Sequence, residues 1–176
     1  IAEGTELIVA AHTHARVSND ALARSRLGGI GYHPSLLPRH RGIAAVEWTI
    51  MEGDPIAGGS VYHLADGWDA GGVAMQDWCF VAKGETARDL WERALAPMGL
   101  DLLKRVVRHA RENGSLPSHG QDERFATKAP MVKRTVTLTE GHRAPTASLA
   151  VTVVGPDRPG IVKLLAERAK GFGANW

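Results

Sequence analysis

Apolar positions along the chain fall into short runs separated by breaks rich in glycine and proline. Leu7-Ile8-Val9-Ala10-Ala11 is unbroken, the pattern of a strand buried on both faces of a parallel sheet. Ser18, Asn19 and Asp20 then offer N-caps for a helix over Ala21–Arg26. Gly28 and Gly29 end that helix and lead into a second strand through Ile30 and Tyr32. Pro34 pushes the residue before it to an extended backbone, which places His33 at the carboxyl end of that strand. Strand, helix and strand predict a right-handed βαβ unit whose strand ends open on one edge.

Further along, Ala44, Ala45, Trp48 and Met51 mark a helix over Ile43–Glu52, stopped by Gly53-Asp54-Pro55. Gly59–Leu64 and Val73–Val81 read as strands, parted by the loop Ala65-Asp66-Gly67-Trp68-Asp69-Ala70-Gly71-Gly72. Thr86 with Asp89 forms a capping box at the head of a long helix. Its stripe runs from Leu90 through Met98 to Ala110, with Pro97 a point of kinking or splitting. Gly114–Lys128 is polar and turn-rich. Residues 131–147 read as a linker, and a strand-loop-helix pattern restarts at Leu149. The expected fold class is α/β, an open, mostly parallel sheet flanked by helices, over residues 1–130, with a partial second domain at 148–176.

The 176 residues are 44% hydrophobic and 23% charged, enough for one good core. The chain begins at Ile1 inside a running αβ pattern, so a fragment lacking its amino-terminal part is expected. No run approaches the ~20 apolar residues of a membrane span, and a cytoplasmic setting is the expectation. The single cysteine, Cys79, reads as a small buried hydrophobe. The first hundred residues carry 8 Lys/Arg against 12 Asp/Glu, the remainder 13 against 7. A basic tail can bind RNA, yet no aromatic-basic interleaving accompanies this one, and nucleic acid is disfavoured as a partner.

The densest chemistry lies in Gly28–Gly42, GGIGYHPSLLPRHRG. An imidazole at a strand's carboxyl end, followed by a stiff basic loop, sits where open α/β sheets keep their sites. For an isolated His-Pro pair a turn-capping histidine is the simpler account. Three glycines in the eight residues around Asp66 and Asp69 are costly unless the backbone needs unusual dihedrals or a ligand comes close. Capping aspartates are the plain alternative there. His12 and His14 could share a face, but no third ligand stands at a sensible spacing, and no metal is expected.

His33-Pro34-Ser35-Leu36-Leu37-Pro38, Arg41-Gly42 and Asp69-Ala70-Gly71 together resemble the motifs of the formyltransferase catalytic-domain family, over about Glu6 to Lys128. The resemblance implies 10-formyltetrahydrofolate as formyl donor and a small-molecule amine as acceptor. It makes His33 and Asp69 the catalytic pair, with the carboxylate raising the imidazole pKa and relaying a proton. It assigns folate contacts to His14, Arg16, Val17, Asp66, Gly67 and Trp68, and substrate contacts to Ser35, Arg41 and Gly42. The carboxyl-terminal Pro156-Asp157-Arg158-Pro159-Gly160-Ile161-Val162 and Gly173-Ala174-Asn175-Trp176 resemble half of a βαββαβ ACT regulatory module. ACT modules commonly pair, so a homodimer is an expectation.

One position departs from the family pattern. The family has Asn two residues before the histidine, and here Gly31 stands there. Another group (His12, His14 or a water) fills the gap, or the substrate does, or the protein binds a folate without transferring formyl. Tyr32 is expected on the opposite face. An amine formyltransferase leads; a deformylase using water and a non-catalytic folate- or amino-acid-responsive regulator are the alternatives.

Overall fold

The computed structural model describes residues 1–132 apart from His12, His14 and Ala15. The chain divides into two compact units, Ile1–Met131 and Val132–Trp176. The expectations for the linker, the ACT-like segment, His12 and His14 lie outside the described residues, save for the linker's first two residues.

Four strands form one sheet in the order β1 (Ile8–Ala10), β2 (Gly29–His33), β3 (Ile56–His63), β4 (Val73–Phe80). β1 and β2 are parallel, joined through the short helix α1 (Asn19–Leu22), whose N-cap Ser18 accepts from the Ala21 N–H. β3 is antiparallel to β2, and β4 is antiparallel to β3. The sheet is therefore mixed, and the expectation of a mostly parallel one is corrected. The cause lies in the connections. Only Leu64 to Gly72 separate β3 from β4, too few for a parallel crossover, which takes a dozen residues or more. The burial of β4 also alternates along much of its length, as in an antiparallel strand with one wet face. β1 is likewise less enclosed than its apolar run implied. It is an edge strand here, and Val9 is 46% exposed.

One face of the sheet carries Ile30 and Val61, which pack with Ala74 against Leu102 and Val106 of α4 (Ala96–Asn113). A second cluster joins Val46 of α2 (Ala45–Met51) and Ala57 to Leu90 and Leu95, with Cys79 half-buried beside them. The helix α3 (Ala87–Leu90) opens on the expected capping box of Thr86 and Asp89. It runs into a π-helical turn, Trp91–Leu95, just ahead of Pro97. Pro97 has no N–H to give and its ring crowds the preceding turn, and the wider π register absorbs both. Tyr32 lies on this helical side of the sheet, its hydroxyl donating to the Leu95 carbonyl at 2.6 Å. Its ring fits there because Gly59 and Gly99 offer no Cβ against it.

The opposite face of β2 and β3 carries Gly31, His33, Ser60 and Tyr62, with Gly31 directly across from Tyr62 and His33 across from Ser60. The loop Pro34–Gly42 folds over this face. Leu37 is buried, the Leu37–Pro38 peptide is cis, and Ser60 Oγ accepts the Leu37 N–H while donating to the Ser35 carbonyl.

Candidate active site

His33 ends β2 and is 6% exposed. Its Nε2–H donates to the His40 carbonyl at 2.8 Å. A carbonyl only accepts, so this bond settles the tautomer and leaves the Nδ1 lone pair facing Asp69 Oδ2 at 3.6 Å. That separation exceeds a direct hydrogen bond. Burial pushes the His33 pKa below its ordinary value; the Asp69 charge and the His40 carbonyl pull it up, and burial prevails. The carboxylate does raise the imidazole pKa, as expected, but burial outweighs its pull. The resting imidazole is neutral.

Asp69 is 9% exposed and sits in the left-handed region at φ 51°. Its carboxylate is held at both oxygens. Gly42 donates its backbone N–H to Oδ2 and Tyr62 donates its hydroxyl to Oδ1, each at 2.8 Å. Burial first, then the Asp69 charge and hydrogen bond, push the Tyr62 phenol well above its usual range, so it remains a donor. Because β3 is antiparallel to β2, the loop after β3 departs from the end where β2 begins. Asp69 thus reaches His33 by folding back over the sheet face.

Gln121 keeps that loop folded. Its Nε2 donates to the carbonyls of Asp69 and Gly71 at 2.8 and 2.7 Å. Its Oε1 accepts from Arg41 Nε and a terminal nitrogen, while Arg41 also pairs with Glu123 at 2.7 Å. Gly71 has no room for a Cβ against the His63 carbonyl.

The residues expected to contact substrate have other partners. Ser35 is 2% exposed and its hydroxyl donates to the Arg39 carbonyl. Arg41 is committed to Gln121 and Glu123, and Gly42 to Asp69. These three have protein partners that brace the site. Among the expected folate contacts, Arg16 pairs with Asp66 at 2.7 Å and Asn19 donates to the same oxygen at 2.8 Å. This ties the loop after β1 to the Asp69 loop, where Gly67 lies and Trp68 stands 71% exposed. Val17 lies in the first loop, between Arg16 and Asn19. Tyr62 and Gln121 were missed from sequence. The signal for Tyr62 was the alternation Ser60, Tyr62 on one strand face; Gln121 had no local signal.

His40, Glu52 and Asp54 bring ligand-type atoms within 4.8 Å of one another. Arg39 already serves as their cation, reaching Glu52 at 2.8 Å and Asp54 at 2.9 Å. The grouping is an ion-pair network beneath the His33 loop.

A buried imidazole, a carboxylate held 3.6 Å from it and a glycine-rich loop thus meet on one face of the sheet. Residues 2–107, more than half of the chain, match the family model described as formyl transferase, and the chain belongs to that family. It is 41% identical over 107 residues to the cytosolic 10-formyltetrahydrofolate dehydrogenase of Xenopus laevis, covering 61% of this chain and 12% of that protein. The methionyl-tRNA formyltransferase of Syntrophus aciditrophicus is 34% identical over 129 residues, 73% of this chain and 41% of that one. The chain thus spans well under half the length of these curated relatives. In fold, HypX from Aquifex aeolicus, solved in complex with tetrahydrofolic acid, superposes with a TM-score of 0.64 at 16% identity, over 73% of this chain and 22% of that one.

Proposed function

We propose that this protein transfers the formyl group of 10-formyltetrahydrofolate to a small-molecule amine, with His33 and Asp69 handling the protons. The observation that carries the reading is the 3.6 Å gap between His33 Nδ1 and Asp69 Oδ2. Both atoms accept, and a nucleophile with two hydrogens can donate one to each. Attack forms a bond to the formyl carbon and sends an electron pair to its oxygen. His33 Nδ1 takes the nucleophile's proton, and the imidazolium is stabilised by Asp69 beside Nδ1 and by the His40 carbonyl at Nε2–H. Collapse breaks the bond from the formyl carbon to N10 as Nδ1 returns its proton to that nitrogen, releasing tetrahydrofolate. No net proton is gained or lost by the protein. The rim of Arg16, Val17, Asp66, Gly67 and Trp68 is the folate side of this reading, with His14 in the same stretch of sequence. This is supported by the Arg16–Asp66 tie between the two loops.

A second reading takes water as the nucleophile, which also carries two hydrogens. It is favoured by the names of the dehydrogenase relatives, which mention 10-formyltetrahydrofolate and no amine. The test follows tetrahydrofolate release from 10-formyltetrahydrofolate by the full-length protein and its His33→Ala variant, first without amine, then with an amine pool. Release only with amine supports the transferase. Release without amine, lost in the variant, selects water. Binding of the folate with no release under either condition overturns both.

A further inference from the structure

We propose that Tyr62 is a positioning residue for the His33–Asp69 pair, its hydroxyl setting how much of the Asp69 charge the imidazole feels and which way the carboxylate faces. The inference rests on the formyl-transfer reading of that pair, and its test is separable from it.

Tyr62 is where it is because of Gly31. The two residues are register partners on adjacent strands, and their side chains share the face that carries His33. A Cβ at position 31 would lie 3.1 Å from the Tyr62 ring and 3.1 Å from Leu64. With glycine there, the phenol lies down over β2 instead of standing away from it. Its ring meets His33 edge-on, centroids 6.4 Å apart at 85°, and its hydroxyl reaches Asp69 Oδ1 at 2.8 Å. The space left by the missing side chain two residues before His33 is thus lined by a second donor, from another strand.

The two donors on Asp69 divide the work. Gly42 supplies a backbone N–H to Oδ2, the oxygen that faces His33. Tyr62 supplies the only side-chain hydrogen bond to this carboxylate among the described residues. Without it, Oδ1 is unheld, and the Gly42 N–H is left to keep Oδ2 beside the imidazole. A charge-assisted hydrogen bond from a neutral donor also drains negative charge from the acceptor. The charged and titratable groups that act on His33 are Asp69, which favours its protonation, and His40, whose ring opposes it and whose carbonyl holds Nε2–H. Tyr62 acts on the first of these. Removing its hydroxyl leaves a more concentrated charge on Asp69, so the imidazole holds its proton to higher pH.

The experiment compares wild type with Tyr62→Phe, which keeps the ring beside Gly31. Two readouts are taken: the titration of His33 by histidine-selective NMR, and steady-state release of tetrahydrofolate. Expected are an upward shift of the His33 titration, and a kcat lower by about 10- to 100-fold, the worth of one hydrogen bond to a charged group. KM for the folate is unchanged. Incorporation of 3-fluorotyrosine at position 62 retains a hydroxyl and restores a wild-type-like titration and kcat, which separates the donor from the packing. An unchanged His33 titration in Tyr62→Phe, with kcat unchanged, overturns the proposal. Failure of the wild type to release tetrahydrofolate with any acceptor overturns the formyl-transfer reading instead, and the NMR titration still decides the role of Tyr62.

Discussion

Gly42 donates its backbone N–H to Asp69 Oδ2 at 2.8 Å, across 27 positions of sequence. The bond requires the chain to turn sharply at Gly42, where φ is 125°, a value that side chains rarely adopt. An added Cβ would also stand 2.6 Å from the Ala129 carbonyl. Gly42→Ala is therefore expected to destabilise the protein by more than about 1 kcal/mol and to loosen Asp69. Thermal melting alongside steady-state kinetics checks both, and an alanine variant with wild-type melting and rate would refute the account.

Removing the proposed proton carriers should slow the proposed reaction without abolishing folate binding. His33→Ala and Asp69→Asn are each expected to lower kcat by about 100- to 10,000-fold, the usual share of general acid–base catalysis. Titration calorimetry with a non-reactive folate should give nearly unchanged affinity, since the proposed folate contacts lie on the Arg16–Asp66 rim. A variant that loses binding as severely as rate would assign the pair to ligand binding.

The depressed His33 pKa gives a signed pH dependence. The proposed mechanism needs neutral Nδ1, so kcat/KM should stay level as pH falls through the ordinary histidine value of 6.5 and drop only below it. Stability follows the same group. In the unfolded chain His33 binds a proton near its ordinary pKa, while the folded state resists until lower pH. The unfolded state thus holds more protons in that interval. Its contribution is complete above 6.5 and is lost as pH falls towards the folded pKa. A rate profile whose acidic limb lies above 6.5 would contradict this.

Gln121 is expected to matter to rate although it touches no reacting atom. Its two donations hold the Asp69 and Gly71 carbonyls, and Gln121→Glu would set a carboxylate against both. Misplacing Asp69 by a fraction of its 3.6 Å approach to His33 should lower kcat by about 10- to 100-fold. The measurement is kcat against KM in Gln121→Glu and Gln121→Ala, and a full rate in both would leave the latch without a role.

Much of this architecture was written locally. Ser18, the Thr86–Asp89 box and the His33-Pro34 step each act within a few residues, and the elements they start or end were legible. Strand direction was not. Apolar runs report burial but not polarity, and only the short Leu64–Gly72 link and the alternation in β4 carried that information. In the site, the nearness of His33 and Asp69 was legible through motif resemblance, as was the upward pull of Asp69 on the imidazole; the burial that outweighs it was not. The burial that lowers the His33 pKa comes from a loop folding over the sheet face. Ser35, Arg41 and Gly42 look alike on paper whether they meet a ligand or another part of the chain. Strand alternation could place Tyr62 on the His33 face, whereas Gln121 meets Asp69 across 52 positions, beyond the reach of spacing rules.

The segment after Gln121 also bears on how this unit can be handled. Thr127 donates its N–H to the Pro38 carbonyl, Arg41 donates to the Thr127 carbonyl and accepts from the Ala129 N–H, and Trp48 Nε1 donates to the Pro130 carbonyl. The residues that leave the sheet are thereby sewn to the back of the loop that carries His33 and Gly42. Any exchange of this unit between polypeptides must carry the chain through Pro130. A shorter graft would transplant the four strands and α1–α4 and leave the His33 loop without its outer seam.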